Sequence, residues 1–124
     1  MTNEIQRDRC AILSLVLTGK WYDMIEQGVK REEYRLATKY WCRRFHNWDV
    51  ALTPKNTPVV EFRLGYSRNA PRMAFWCFGI GTASGMKSYA YVDSASVKTL
   101  HPEWGEPADP HFFIELGSRV KIVN

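Results

Sequence analysis

From Cys10 to Leu17 the chain reads Cys-Ala-Ile-Leu-Ser-Leu-Val-Leu, held between charge at Arg7, Asp8 and Arg9 and the pair Thr18-Gly19. A bounded apolar run rich in Ile, Leu and Val predicts a buried strand. The period then lengthens. Trp21, Met24 and Ile25 recur on one helical face, Thr18 is placed to cap, Leu17 and Tyr22 stand at the two positions of a hydrophobic staple, and Gly28 is a stop signal. A helix over Trp21–Gly28 follows. Alternation returns at Glu32–Leu36, where a strand places Glu33 and Arg35 on one face and Tyr34 on the other. Lys39–Phe45 is aromatic and basic without a clean period. A short helix there brings Tyr40, Arg43 and Arg44 close together.

Beyond Trp48 the pattern turns to β. Strands are predicted at Asp49–Thr53, Val59–Leu64 and Met73–Ile80, punctuated by Pro54, Pro58, Gly65 and Pro71. Val60, Phe62 and Leu64 give the second strand one apolar face. The third carries Phe75 and Cys77 on one side and Trp76 and Phe78 on the other, which predicts a central strand buried on both faces. Gly79, Gly81 and Gly85 invite a bend or bulge, and Ser88–Val92 and His111–Leu116 are two further strands. The three prolines between Leu100 and Pro110 make that stretch a loop. The order of elements is strand, helix, then mostly strands, with no internal repeat or low-complexity linker. It predicts an α+β fold with a curved or closed mixed sheet.

Length and composition narrow this picture. A chain of 124 residues, 45% hydrophobic and 14% aromatic, suffices for one core and argues for a single domain over residues 1–124. No stretch approaches the roughly 20 apolar residues of a bilayer span, and the polar start lacks a signal-peptide core, so no membrane association is expected. Three widely spaced cysteines, Cys10, Cys42 and Cys77, suit reduced thiols in a cytoplasmic protein.

Charge adds a location. The chain carries +4, and the window Lys30–Arg44 holds Lys30, Arg31, Arg35, Lys39, Arg43 and Arg44 against only Glu32 and Glu33. The whole excess therefore sits in one patch, and the segment Gly28–Arg44 is expected to line a basic cleft for an anionic partner. A merely solvated charged surface is the competing reading.

Within that patch, the stretch Gly28–Arg35 packs a helix stop, a lysine, a carboxylate and an arginine into one turn from helix to strand. Arg35 offers planar donors for phosphate or a base edge, Lys30 a point charge, and Glu33 a carboxylate that orients either cation. The same residues also fit a structural ion pair between Glu33 and Arg35.

Gly28, Lys30, Glu33 and Arg35 match the GxKxxExR signature of ASCH-domain proteins, a branch of the PUA-like β-barrels, and the chain resembles that family beyond the signature. Ile12-Leu13-Ser14-Leu15, the helix Trp21–Gly28, Phe62-Arg63-Leu64-Gly65-Tyr66 and Phe112–Gly117 are similar to the family's pattern, so the resemblance covers a core of about Ala11 to Ser118. It implies a small PUA-like barrel with one or two helices at its mouth and a cleft that binds RNA or a nucleotide. Some ASCH-domain relatives are amidohydrolases acting on a modified cytidine, or ribonucleases, with a motif lysine that matches Lys30. The amidohydrolases place a nucleophilic threonine three positions after that lysine, where this chain has Glu33. A carboxylate does not replace an activated alcohol nucleophile, so that activity is not carried over.

Other candidate sites are weaker. Cys42 and His46 share a helical spacing but lack a second ligand pair, the glycines Gly79 to Gly85 miss the dinucleotide spacing, and Ser14, Thr38, Ser67, Ser84, His46, His101 and His111 show no triad signature. No metal or cofactor is implied. Trp21, Tyr40 and Trp41 are candidates for stacking on bases, Trp21 also for the core. Two function classes stay open. One is an RNA- or nucleotide-binding module in which Lys30, Arg35, Lys39, Tyr40, Arg43 and Arg44 contact the ligand and Glu33 orders the pocket. The other is a hydrolase of RNA or a modified nucleoside with Lys30 and Glu33 as its acid–base groups. A protein-interaction module ranks behind both.

Overall fold

The computed structural model describes residues 3–83 and 100–124. The predicted strand Ser88–Val92, with Ser84 and Gly85, lies outside the described residues. In chain order the elements are β1 (Glu4–Gln6), β2 (Cys10–Leu17), α1 (Gly19–Glu26), β3 (Glu32–Leu36), α2 (Lys39–Ala51), β4 (Thr57–Leu64), β5 (Arg72–Ala83) and β6 (His111–Val123). Single 3-10 turns occupy Arg7–Arg9 and Pro102–Trp104. None of the described helices is long and apolar enough to cross a membrane.

β6 organises the sheet. Along one edge it pairs with β5, and on the other its first half pairs antiparallel with β3 and its end parallel with β1. The ladder continues from β5 to β4 antiparallel and from β4 to β2 parallel, giving a six-stranded mixed sheet. The register irregularities in β5 lie between Phe75 and Gly79, ahead of the bend or bulge predicted at Gly79, Gly81 and Gly85. At Gly81 a Cβ would stand 2.3 Å from the Phe113 ring across the ladder, so only glycine fits there.

No ladder joins β2 to β3 among the described residues, and the sheet is therefore not a hydrogen-bonded closed barrel. It nevertheless curls far enough that Arg35 of β3 donates from Nη2 to the Val16 carbonyl of β2 at 3.0 Å. Arg44 of α2 donates to the Ser14 carbonyl at 2.8 Å. Ser14 and Val16 are two apart and point to the same side of the strand. The Leu17 carbonyl points to the other side and accepts from Gly65. Guanidinium groups thus occupy the strand edge that a closing ladder would have used.

The core lies inside the curl. Leu13, Leu15 and Leu17 of β2, Val60 and Phe62 of β4, Phe75 and Ile80 of β5, and Phe112 and Ile114 of β6 meet Tyr22 and Ile25 of α1 and Phe45 and Trp48 of α2. A smaller cluster on the outer face joins Val59, Ala74 and Val120 under Ile5, Cys10 and Ile122.

Three expectations change. The predicted strand Asp49–Thr53 is instead the end of α2, which runs to Ala51. The reason is a stripe invisible to a short window: Trp41, Phe45, Trp48 and Leu52 all pack on the core, and Trp48 Nε1 donates to the Ala11 carbonyl at 3.0 Å. Helix propagation then stops before Pro54, which disfavours a helical residue ahead of it. β5 is central in the ladder but not buried on both faces, since Trp76 is 39% and Phe78 62% exposed. Thr18 occupies the N-cap of α1 without a side-chain capping bond. Thr38 caps α2 through Oγ1, which accepts from Trp41 N at 3.3 Å.

Candidate functional site

The end of α1 sets the site. Gly28 has φ +78°, its N–H bonds the Ile25 carbonyl, and Val29 N–H bonds the Met24 carbonyl, a Schellman closure that only glycine enters without strain. Lys30 N–H bonds the same Met24 carbonyl, which turns the chain back under the helix and into β3. Lys30 is consequently buried although it follows an exposed turn.

Its ammonium finds compensation at once. Lys30 Nζ donates to Glu33 Oε1 at 3.0 Å, and Glu33 Oε2 accepts from Arg35 Nη2 at 2.8 Å, so one buried carboxylate bridges two cations. Nζ also lies 4.3 Å from the Trp21 ring centroid and 5.3 Å from that of Tyr34, a cation–π setting on two rings. Burial holds the Lys30 amine below its ordinary range, and Glu33 opposes that shift without cancelling it. The trio carries a net +1.

The trio faces a cleft of about 290 Å³ lined by Val16, Leu17, Thr18, Trp21, Lys30, Glu33, Tyr34, Arg35 and Gly105. The cleft opens at the seam between β2 and β3, where no ladder fills the space. Gly105, at φ +83°, gives it a tight wall, because a Cβ there would stand 2.6 Å from the Trp21 ring. Arg35 lies with its guanidinium carbon 4.8 Å from the Trp41 centroid, and its Nε is buried with no hydrogen-bond partner.

A second polar group adjoins the cleft through Tyr34. Tyr34 donates its hydroxyl to Glu32 Oε1 at 2.9 Å and meets the His111 ring edge-on, with ring centroids 5.7 Å apart. His111 Nδ1 lies 2.8 Å from the Asp109 carbonyl, and Nε2 lies 3.4 Å from Glu106 Oε1. Burial together with the bond to Glu32 raises the Tyr34 phenol far above its ordinary range. Glu106 Oε2 also accepts from His101 N–H at 2.6 Å, fastening the stretch that presents Gly105 to the cleft.

Of the sequence candidates, Lys30, Glu33 and Arg35 therefore come together in the cleft. Lys39, Tyr40, Arg43 and Arg44 lie on the first turns of α2, outside its lining. Tyr40 and Arg44 touch through a 3.1 Å hydrogen bond from Arg44 Nη1 to the Tyr40 hydroxyl. Lys39 and Arg43 are exposed and form no ion pair among the described residues. Trp21 both packs on the core and walls the cleft. Sequence reasoning missed Thr18 and Gly105 as lining residues and Lys20, whose ammonium lies 4.6 Å from the Trp21 centroid. Lys20 and Thr18 adjoin Trp21 and were within reach of its helical position; nothing local marks Gly105, some eighty residues away.

Comparison of the chain with family models, with curated proteins and with solved structures returns no match. The function is therefore argued from the site itself.

Proposed function

We propose that the protein is a PUA-like module of ASCH type that binds RNA or a nucleotide in the cleft between β2 and β3. The observation that carries this reading is the buried bridge Lys30–Glu33–Arg35, whose fixed net positive charge lines an open cleft walled by an indole. Planar cation, aromatic wall and adjoining basic helix together suit a base attached to phosphate. On this reading the curled sheet is a PUA-like barrel whose last seam is spanned by Arg35 rather than by a ladder.

Fluorescence-polarisation titration with short single-stranded RNAs and with mononucleotides tests it. Binding at low salt is expected, weakening steeply as salt rises and lost in Arg35→Ala. Absence of binding at low salt overturns the proposal.

A hydrolytic role has one observation in its favour: burial lowers the affinity of Lys30 for its proton, as a general base requires. Turnover of acylated nucleosides or labelled RNA that disappears in Lys30→Met, while ligand still binds, would establish it. Absence of turnover by the wild-type protein counts against it.

A further inference from the structure

We infer that the cleft is the first of two consecutive subsites for single-stranded RNA, the second being a shelf on α2 formed by Tyr40, Trp41 and Arg44. The inference rests on the reading of the cleft just given and specifies the length and path of its ligand.

The two places are joined through one indole. Arg35, which lines the cleft, has its guanidinium carbon 4.8 Å from the Trp41 centroid. That of Arg44, which does not line the cleft, lies 5.2 Å from the same ring. Both arginines also hold carbonyls two residues apart on β2, at Val16 and Ser14. A ligand leaving the cleft past Arg35 thus meets Arg44 next.

Charge identifies what Arg44 is suited to hold. Its hydrogen bonds go to a carbonyl and a phenol, both neutral, and among the described residues no carboxylate pairs with it. Glu33, the nearest compensation on the cleft side, is already shared between Lys30 and Arg35. Two guanidinium groups beside one ring with so little counter-charge repel each other, and a phosphodiester relieves that repulsion.

Tyr40 then provides for the next base. It is 55% exposed, yet its ring is held edge-on against Trp41 at 5.0 Å and 85°, and its hydroxyl is fixed by Arg44. An exposed aromatic ring held in one orientation is a stacking platform with little ordering left to lose. Lys39 and Arg43, exposed and one turn apart on α2, extend the positive surface along the outgoing backbone. A mononucleotide fills the cleft alone, and a dinucleotide reaches the shelf.

The test compares AMP with 5′-phosphorylated ApA by calorimetric titration. The dinucleotide is expected to bind wild-type protein at least about tenfold more tightly, the contribution of one added stacked base. Tyr40→Ala, at an exposed position, removes that gain and leaves AMP affinity unchanged, whereas Tyr40→Phe keeps most of it. Arg44→Gln lowers dinucleotide affinity and reduces its salt slope by about one. Equal affinity for the two ligands, or an equal loss for both in Tyr40→Ala, overturns the shelf and leaves the cleft reading standing. Failure of both ligands to bind overturns the two together.

Discussion

The turn Gly28–Arg35 and the first turns of α2 carry the same kind of charge under opposite conditions. Lys30 is 3% exposed, bridged by Glu33 and covered by two aromatic rings, while Lys39 and Arg43 extend into solvent without partners among the described residues. Burial makes the first group expensive to ionise and tightly fixed, because a desolvated charge persists only where its geometry is satisfied. Exposure leaves the second group free to move, so it acts through a screened field and not through position. A net charge of one sign therefore does two jobs. In the proposed function, the turn defines where a ligand sits, and the helix draws it in and follows its backbone.

Breaking the bridge is expected to separate the two regions most sharply. Glu33→Gln leaves Lys30 buried beside Arg35 with no counter-charge, and should cost about 3–5 kcal/mol in urea denaturation. The double variant Lys30→Met/Glu33→Gln should recover most of that loss. A cost below ~1 kcal/mol would mean that the trio is not desolvated in the folded protein.

Arg35→Ala comes next. It removes the donor to Val16 and one partner of Glu33, at about 1–3 kcal/mol of stability, and should abolish measurable nucleotide binding. Arg35→Lys should not restore binding, since an ammonium lacks the planar fork. Full affinity in Arg35→Lys would show that charge alone suffices.

The pH dependence reports on the buried turn. Burial holds folded Lys30 below its ordinary 10.5, so the unfolded chain binds that proton more tightly. The Lys30 contribution to stability accordingly rises with pH from the folded-state pKa up to about 10.5, by at most ~1.4 kcal/mol per pH unit, and is level above it. Comparing Lys30→Met with wild type at each pH removes the opposing contributions of the Tyr34 phenol and the thiols, which burial raises. A wild-type profile identical to that of Lys30→Met would show that Lys30 is not desolvated in the folded protein.

The smallest effect belongs to the exposed helix face. Lys39→Ala with Arg43→Ala should alter stability within ±0.5 kcal/mol while lowering the salt slope of oligonucleotide binding by about two. A stability loss of several kcal/mol would show that these cations have structural partners.

Much of this arrangement is legible along the chain because it is local. β2 and β3 have the predicted bounds, since each is a short run with turn or charge signals at both ends. Gly28 ends α1 by a closure confined to neighbouring residues, and the i, i+3 and i+2 spacings already place Lys30, Glu33 and Arg35 in one group. α2 was legible only at its start, because the strand predicted at Asp49–Thr53 rested on local texture, whereas Trp48 is fixed by the distant Ala11 carbonyl. The faces of β5 depend likewise on what packs across them, and the alternation of large residues did not reveal that Trp76 and Phe78 face outward.

What the sequence by itself determined was the position of the charge and the turn that concentrates it. Only the tertiary structure decided which cations are buried and which are free, that Gly105 and Trp21 form one wall, and that β2 and β3 meet through Arg35 instead of a ladder. The physical reason is range. Propensity, capping and charge spacing act within a few residues, whereas burial and the edges of a sheet are fixed by contacts between segments far apart in the chain.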